Sequence, residues 1–436
     1  MIESLIGTGV LFALVLLRVP IAFAMIGVGT VGFALLRNWN ASLTLLGNTA
    51  FETALSFTLS IIPLFILMGN LLTVSGVSHS LFAAAHRGLY RLSGGLAMAT
   101  VVACGGFSAV CGSSLATAAT MSKVAMPSMR KVGYADSLAT GAIAAGGTLG
   151  ILIPPSVILI IYGIIAEADI GKLFLAGLLP GLLGVVLYAL AVYVVVKFKP
   201  SLAPKRGEKI PLERRDIVGI ALVVGLFSII MVGIYGGLFT PSEAAAVGAF
   251  LATLIAIFVG KLTLKGFLQV GLDTIRPTAM IFTIIIGAEV FSNFISFAGL
   301  PDAILSFVQS LKISAYVVIL LLVLIYIILG AVLESLSMIL LTVPIFYPLV
   351  MSLDFGTDVL SSPEAVTIWF GIVVVVVTEI SLISPPIGLN VFVLRTLLPD
   401  ISIKTMFTGI LPFWFADIIR LLLLINLPSI ALWLVL

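Results

Sequence analysis

The chain has 436 residues, of which 61% are hydrophobic and only 9% are charged. Soluble domains carry about a quarter charged residues, so the composition excludes a water-soluble enzyme. The high hydrophobicity also excludes an intrinsically disordered chain. The net charge of +3 gives no indication of a nucleic-acid partner, and the expected surrounding is the lipid bilayer.

The apolar residues are grouped in runs of membrane-spanning length. They lie at 4–17, 20–36, 57–74, 95–122, 136–165, 173–196, 217–236, 241–260, 278–297, 315–347, 365–394 and 405–433. A hydrocarbon core of about 30 Å needs about 20 helical residues, so an all-α membrane protein with about a dozen crossings is predicted. The first run lacks a basic region before it, which favours a membrane helix over a cleaved signal peptide.

The helix-breaking residues repeat along the chain and divide it into two halves. Pro20 and Gly27 match Pro241 and Gly248, Pro127 matches Pro348, Pro154-Pro155 matches Pro385-Pro386, and Lys172, Gly177 and Pro180 match Lys404, Gly409 and Pro412. These matches predict a first repeat over 1–196 and a second over 217–436. The polar segment 197–216 between them is predicted to be a cytoplasmic linker.

One run in each half is predicted to enter the membrane and return on the same side. The run 95–122 is rich in small residues and has basic residues at both ends, so we expect a re-entrant hairpin with its tip near Cys111–Ser114. Its counterpart 315–347 has an expected tip near Leu333–Ser337. Cys104 and Cys111 are about two helical turns apart, beyond disulfide reach.

A second run in each half is predicted to be a helix broken near mid-membrane. Pro154-Pro155 interrupts the run 136–165, and Pro385-Pro386 interrupts the run 365–394. Proline removes a backbone donor and clashes with the preceding turn, and it moves the residue before it out of the α region. Both helices should therefore stop and restart at these prolines.

The positions of the basic residues predict that the repeats are inverted. Each half has five spans and a hairpin, and an odd number of crossings turns the second half upside down. With the linker in the cytoplasm, 18 of the 22 basic residues fall on the cytoplasmic side, in agreement with the positive-inside rule. This topology puts both termini in the periplasm and makes the two hairpins enter from opposite sides.

Two hairpin tips and two broken helices in inverted pairs are typical of a secondary transporter with its site at the midplane. Helix N-termini facing such a site favour an anionic substrate, and exposed carbonyls and hydroxyls favour a small cation. Because membrane-embedded acidic and histidine relays are few, sodium is preferred over the proton as coupling ion. The sequence lacks the motifs of an intramembrane enzyme, and paired proline breaks are more typical of carriers than of channels.

The sequence from Gly105 to Tyr134 (GGFSAVCGSSLATAATMSKVAMPSMRKVGY) and from Gly146 to Ser156 (GGTLGILIPPS) strongly resembles the large membrane subunit of TRAP transporters. These are the tripartite ATP-independent periplasmic transporters, which belong to the ion transporter superfamily. The resemblance covers the whole chain in order, length and repeat pattern. It implies a bacterial inner-membrane protein with an inverted-repeat elevator fold, and Na⁺ as the coupling ion without an organic cofactor.

The resemblance also implies which segments move and which partners are needed. The hairpins and broken helices would form a moving transport domain on a fixed scaffold. The predicted scaffold is 1–75 and 217–297, and the polar stretches 38–56 and 261–276 in it could be interfacial arm helices. The other predicted segments are the hairpin and broken helix over 95–165, the helix 173–196, the hairpin 315–347, the broken helix 365–394 and the helix 405–433. The implied partners are a small four-helix membrane subunit and a periplasmic binding protein that delivers an organic anion such as a C4-dicarboxylate or sialic acid; the alternative is a sodium/organic-acid symporter that works alone.

The family pattern implies the ligand sets. Sodium site 1 would comprise Ser108, Gly112, Gly150, Ile153 and Pro155, largely through backbone carbonyls. By the repeat, sodium site 2 would comprise Gly330, Glu334, Thr378, Ser381 and Ser384, where Glu334 replaces the aspartate that is common in the family. The substrate-side candidates are Ser113, Ser114, Ser335, Ser337 and Glu379.

Each of these residues also has a purely structural interpretation. Small residues in membrane helices commonly serve close packing. Glu243 follows Thr240-Pro241 in the pattern of an N-terminal capping box. Asp417 and Arg420 are three residues apart and are expected to pair on one helix. Glu379 is costly inside a membrane, so a functional role is the default expectation.

Overall fold

The structure of the protein is a computed structural model that describes residues 2–204, 213–260, 262–330 and 332–436. Residues 205–212 of the predicted linker 197–216, residues 261 and 331, and the side chain of Val110 lie outside the described part. Within that part every regular element is helical. Both ends of the predicted linker belong to helices, because α10 (Ile170–Phe198) contains residues 197–198 and α11 (Arg214–Tyr235) contains residues 214–216.

The helices of the two halves follow one another in the same order. The first half contains α1 (Ile2–Leu16), α2 (Ile21–Leu36), α3 (Trp39–Leu55), α4 (Ile61–Ser75), α5 (Val77–Leu89), α6 (Gly95–Cys111), α7 (Ser114–Val132), α8 (Asp136–Thr148), α9 (Val157–Ile165) and α10. The second half contains α11, α12 (Pro241–Phe258), α13 (Leu264–Phe297), α14 (Leu300–Leu311), α15 (Ala315–Leu329), α16 (Ser335–Met351), α17 (Pro363–Ile383), α18 (Leu389–Leu397), α19 (Ile403–Asn426) and the short α20 (Ser429–Leu432).

Each half contains one helical hairpin and one interrupted helix. The hairpins are α6–α7 and α15–α16. The interrupted helices are α8–α9 and α17–α18, with the cis peptides Pro154-Pro155 and Pro385-Pro386 between their parts. The halves differ at one junction, because α3 and α4 are separate helices whereas their counterpart α13 is a continuous helix of 34 residues.

The C-terminal ends of three helices differ most from the ends of the apolar runs. The second arm of the first hairpin continues to Val132 instead of ending at 122, and the second arm of the second hairpin continues to Met351 instead of ending at 347. Hydropathy marks the apolar part of a helix, whereas α7 continues through Arg130 and Lys131 and stops at Gly133, whose φ is +89°. The predicted helix 405–433 is wrong at its end, because α19 stops at Asn426 before Pro428, where the residue preceding proline leaves the α region.

Two helices lie outside both the apolar runs and the predicted arm stretches 38–56 and 261–276. They are α5, with 13 residues, and α14, with 12 residues, which occupy equivalent places just before the two hairpins. Their apolar residues are interleaved with polar ones at helical spacing, so one face is apolar and the other polar. Such helices pack along one side and escape a search for uniformly apolar segments.

The packing brings the two repeats together at the hairpins. The arm α7 packs against α8 of its own repeat and α18 of the other, and α16 packs against α17 of its own repeat and α9 of the other. Each hairpin therefore contacts both interrupted helices. At the centre lies α17, in which every residue from Ala365 to Ile383 is buried.

In the described part of the chain, seven stretches are long and apolar enough to cross a membrane. They are 58–75, 170–198, 214–235, 241–258, 264–297, 363–383 and 403–426. The shorter apolar helices are α1, α2, the first arm of the first hairpin, α14 and both arms of the second hairpin. The fold is thus all-helical with several spans, and its interrupted elements lie inside the helical bundle.

Candidate functional site

A cavity of about 380 Å³ lies where the hairpin tips and the interrupted helices meet. Gly112, Ser113 and Ser114 of the first tip and Glu334 and Ser335 of the second line it. Residues next to both interruptions complete this wall: Ile151, Val157, Leu382 and Leu389. The opposite wall comes from α4 and α13. The cavity therefore collects all four irregular segments that the sequence singles out.

The first tip is a tight turn pressed against the first break. Gly112 has φ +61°, a left-handed conformation that suits glycine. A methyl group at this position would lie 3.0 Å from the carbonyl oxygen of Pro155, so the tip approaches the break closely. Ser113 is the N-cap of α7, and its hydroxyl accepts a hydrogen bond from the backbone N–H of Ala116 at 3.4 Å.

Several oxygen atoms surround Gly150 at the end of the first interrupted helix. A methyl group on Gly150 would lie 3.2 Å from the Ser108 hydroxyl and 3.2 Å from the Ser113 carbonyl oxygen. The Ser108 hydroxyl is buried and donates to the Cys104 carbonyl at 2.5 Å, which leaves its lone pairs free. Hydroxyl and carbonyl oxygens around a break suit a small hard cation, so the residues of predicted sodium site 1 fit that ion.

Not every residue of predicted site 1 points into this space. The Ile153 side chain packs toward α10, where a methyl group on Gly181 would meet it at 2.8 Å. A part for Ile153 in ion binding would therefore rest on its backbone.

The second tip makes the corresponding contact with the second break. A side chain on Gly330 would collide with Ser381, so here too a glycine allows hairpin and break to touch. The hydroxyls of Thr378, Ser381 and Ser384 are buried and donate to carbonyl oxygens within α17 at 2.6–2.7 Å. Ser384 also accepts a hydrogen bond from the Trp414 indole N–H at 2.8 Å.

The substrate-side candidates of the second tip occupy different environments. Glu334 is the N-cap of α16 and lines the cavity, and Ser337 is fully buried behind it, with its hydroxyl donating to the Glu334 carboxylate at 3.4 Å. Ser335 also lines the cavity, and its buried hydroxyl has no hydrogen-bond partner.

Asn390 holds the first tip from the other repeat and was missed by the sequence analysis. Its amide donates to the Ser114 hydroxyl at 2.8 Å and to the Ala144 carbonyl at 2.9 Å. The side chain is fully buried in the first turn of α18. The available signal was an amide in an apolar segment four residues after Pro386.

The wall opposite the tips carries two polar residues that were also missed. Asp273 of α13 and Asn70 of α4 line the cavity, and the Asn70 amide donates to the Thr274 hydroxyl at 3.1 Å. Asp273 lies in the polar stretch interpreted as an arm helix, and the continuity of α13 carries it to the cavity. Among the described lining residues, Asp273 and Glu334 are the charged ones.

Glu379 lies away from this cavity, in a buried ionic cluster. Its carboxylate accepts from the Arg420 guanidinium, which also contacts the Asp417 carboxylate at 2.8 Å. All three side chains are completely buried. The expected pairing of Asp417 with Arg420 is confirmed, whereas the candidate role of Glu379 in contacting substrate finds no support in its position.

Other isolated polar residues are accounted for locally. Glu243 accepts hydrogen bonds from the Thr240 backbone at 2.8 Å and hydroxyl at 2.9 Å, which confirms the capping box. Cys104 and Cys111 are free and buried. Among the described residues no group of three or more His, Cys, Asp or Glu side chains could hold a metal ion.

Comparison with known protein families gives a match over nearly the whole chain. Residues 8–430 match the family described as the tripartite ATP-independent periplasmic transporter, DctM component. A C4-dicarboxylate TRAP transporter large permease protein of Pseudomonas aeruginosa is 35% identical over 88% of this chain and 87% of its own length. A sialic acid TRAP transporter large permease protein of Vibrio cholerae is 31% identical over 94% and 93%.

Two further similarities bear on assembly and fold. An isethionate TRAP transporter permease protein, DctMQ, of Oleidesulfovibrio alaskensis is 32% identical over 88% of this chain but only 59% of its own length. The crystal structure of the YdaH transporter of Alcanivorax borkumensis superposes with a TM-score of 0.61 over 88% of this chain and 87% of that one, at 17% identity. At that identity the likeness concerns the fold alone.

Proposed function

The chain belongs to the DctM family of TRAP transporters, and on that premise we propose that it is the large permease of a sodium-coupled carrier of organic anions. It is a multi-pass membrane permease and not an enzyme. The observation that carries the sodium and substrate assignments is the shared cavity. Two hairpin tips and two interrupted helices border one space. The Pro155 carbonyl oxygen lies against Gly112 of its lining, and buried oxygen atoms surround Gly150 behind it.

Sodium would bind where each hairpin touches its break. The oxygen atoms around Gly150 form the better supported of the two sites, with Ser108 and the tip carbonyls as ligands. The second site would use the segment around Ser381 together with Glu334. Unwound backbone is tolerated at membrane depth only where it is buried in protein or lines a cavity, which agrees with both positions.

The substrate would bind in the cavity itself. The N-termini of α7 and α16 begin at the two tips and supply unpaired N–H groups and a partial positive charge. These favour a carboxylate, while bound sodium would offset the negative charge of Glu334 and Asp273. Because the similar permeases are a C4-dicarboxylate and a sialic acid transporter, C4-dicarboxylates, sialic acid and related acids are the compounds to test first.

Two protein partners complete the proposed system. The relative DctMQ is a permease of which this chain covers 59%, which supports a small membrane subunit as a partner. A periplasmic binding protein would deliver the substrate, as the word tripartite in the family description implies. The proposed location is the bacterial inner membrane, with the linker in the cytoplasm and both termini in the periplasm.

Transport would proceed by an elevator movement. The hairpins and interrupted helices contact one another across the repeats and would move as one body. Helices α4 and α13 form the opposite wall of the cavity and would remain with the scaffold. The cavity between a moving and a fixed body could then face either side of the membrane in turn.

The test is uptake into proteoliposomes that contain the chain and its small subunit. An inward sodium gradient together with binding protein and a labelled C4-dicarboxylate or sialic acid should drive accumulation. Replacing sodium by choline should abolish it. Accumulation that follows a proton gradient without sodium would contradict the proposal, and accumulation of free substrate without binding protein would favour the stand-alone symporter.

Two substitutions address the sites directly. Ser108→Leu and Ser381→Leu should each abolish sodium-driven uptake, because a bulky apolar group fills the space between hairpin and break. Ser310→Leu, on the exposed face of α14, is the matched control and should transport normally. Normal sodium dependence in both Ser108→Leu and Ser381→Leu would refute the site assignment.

A further inference from the structure

A buried polar chain of five side chains joins the two interrupted helices through the centre of the fold. Its members are fully buried and come from four helices: Thr148 of α8, Tyr188 of α10, Asp417 and Arg420 of α19, and Glu379 of α17. None of them lines the cavity between the tips. The transport site described above therefore assigns no role to these five residues.

Tyr188 lies in the middle of the buried polar chain. Its hydroxyl donates to Asp417, and its oxygen lies 3.1 Å from the Thr148 hydroxyl. The single hydrogen of Thr148 has two acceptors within reach, the Tyr188 oxygen and the Ala145 carbonyl oxygen at 2.8 Å. Arg420 donates a hydrogen bond to the Glu379 carboxylate and forms an ion pair with the Asp417 carboxylate at 2.8 Å. An unbroken path of polar contacts thus leads from Thr148 to Glu379.

The two ends of this path occupy equivalent positions in the repeats. Thr148 and Glu379 each lie six residues before a proline pair. Tyr188 and Arg420 each lie eight residues after the matching prolines Pro180 and Pro412. The first repeat therefore supplies a neutral pair, Thr148 with Tyr188, and the second supplies a charged pair, Glu379 with Arg420.

Asp417 joins the two pairs and has no polar counterpart. It lies five residues after Pro412, where the first repeat has Val185 after Pro180. One carboxylate accepts from Tyr188 on one side and contacts Arg420 on the other. The neighbouring backbone of α10 makes room for this contact, since a side chain on Gly184 would collide with the Arg420 guanidinium.

The ends of the chain are adjacent to the contacts between hairpins and breaks. Thr148 lies two residues before Gly150, and Glu379 lies two residues before Ser381. A buried polar group that loses its partner is strongly disfavoured, and the same holds for half of a buried ion pair. The buried polar chain therefore fixes the position of the segment around Gly150 relative to the segment around Ser381.

We propose that the buried polar chain is a positioning device that sets the affinity of the two cation sites by holding both breaks in one arrangement. This inference rests on the proposed sodium coupling. When the buried polar chain is intact, the two breaks are already ordered before sodium binds. When one of its hydrogen bonds is removed, part of the binding free energy of sodium is used to order the breaks, and the affinity for sodium falls. The five residues touch neither sodium nor substrate and act through Gly150 and Ser381.

The test measures sodium binding without transport. The melting temperature of the purified protein is followed as sodium chloride replaces choline chloride at constant ionic strength, which yields the half-saturating sodium concentration. Tyr188→Phe removes the central hydroxyl and keeps the ring. It should raise the half-saturating concentration by about three- to tenfold, as expected for the loss of one buried hydrogen bond.

A second variant and a control separate positioning from stability. Thr148→Val removes the end of the same path, and the double variant should show no larger shift than Tyr188→Phe, because both changes cut one connection. Tyr162→Phe is the matched control. Tyr162 is equally buried, but its hydroxyl donates to the Thr367 carbonyl at 2.6 Å, far along α17 from Ser381. It should leave the half-saturating concentration unchanged.

The outcomes distinguish the inference from the function on which it rests. If sodium does not raise the melting temperature of the unaltered protein, the proposed sodium coupling fails and this inference with it. A second outcome is that sodium stabilises the unaltered protein, while Tyr188→Phe and Thr148→Val lower the melting temperature and leave the half-saturating sodium concentration unchanged. In that case the buried polar chain is merely structural, and this inference alone is refuted. Additive shifts in the double variant would also overturn it.

Discussion

The two contacts between hairpin and break use the same pair of residue types in opposite places. In the first repeat the hairpin supplies Ser108 and the break supplies Gly150, whereas in the second the hairpin supplies Gly330 and the break supplies Ser381. Both contacts need one partner without a Cβ so that two backbones can approach. The close approach of hairpin and break is therefore common to both repeats. The hydroxyl comes from the hairpin in the first repeat and from the interrupted helix in the second.

The tips differ in charge at equivalent positions. Ser113 is the N-cap of α7 and Glu334 is the N-cap of α16. The first tip is also fastened by Asn390 from the other repeat, whereas the second is fastened by its own Ser337. The second contact is therefore the more acidic of the two and the one held by fewer bonds across the repeats.

The largest effect is expected where the repeats differ most, in the buried ionic pair. Arg420→Met leaves Glu379 and Asp417 as buried carboxylates without a cation, which should lower the free energy of unfolding by about 3–5 kcal/mol. Tyr188→Phe, at the equivalent position, should cost about 1 kcal/mol. Thermal unfolding in detergent measures both, and similar small losses in the two variants would contradict the view that the charged pair dominates.

Adding a methyl group at each contact glycine should affect the second repeat more strongly. Gly330→Ala collides with Ser381 and should reduce sodium-driven uptake at least tenfold, since overpacking costs about 1–3 kcal/mol. Gly150→Ala meets Ser108 at 3.2 Å and should have a smaller effect.

A double variant sharpens this comparison. Gly330→Ser combined with Ser381→Gly gives the second contact the arrangement of the first and should recover uptake relative to Gly330→Ser alone. Failure of the exchange to recover any activity would show that the position of the hydroxyl matters as well as the space.

The fastening of the first tip predicts an intermediate effect. Asn390→Ala removes the donor to Ser114 and to the Ala144 carbonyl, which is expected to cost about 1–3 kcal/mol. Ser337→Ala removes a hydroxyl that makes only a 3.4 Å contact with Glu334 and should cost less. Melting temperatures of both variants check the order, and a reversed order would mean that the second tip is the more firmly held.

The smallest effect is expected at the surface cluster on the hairpin end. Arg130 donates to Asp136 at 2.8 and 3.0 Å and to Asp400 at 2.5 Å, and its guanidinium lowers the pKa of Asp400. A lowered carboxyl pKa stabilises the fold above the ordinary carboxyl pKa near 4, and this contribution is lost as the pH falls through the lowered value.

Arg130→Gln isolates that contribution. The difference in melting temperature from the unaltered protein should be small at neutral pH, shrink with added salt and vanish in acid, because the pair is exposed. A difference that persists at high salt and low pH would place the role of Arg130 in packing rather than in charge.

The residues that could be predicted are those whose local chemistry forces a departure from regular helix. Pro154-Pro155 and Pro385-Pro386 interrupt helices wherever they lie, and a segment rich in glycine and serine marks a tip. The family resemblance, carried by Gly105–Tyr134 and Gly146–Ser156, is confirmed by the match over residues 8–430. Amphipathic α5 and α14 were missed because they are short and polar residues interrupt their apolar residues, so neither contains a long apolar run.

The sequence by itself determined that the chain is a repeated set of membrane helices, because composition and breaker residues are local properties. Only the tertiary structure decided which side chains meet. It brought Asn390 to the first tip, Asp273 to the cavity wall and Glu379 to Arg420 instead of the cavity. Such contacts depend on the packing of helices far apart in the chain, and no local pattern encodes that packing.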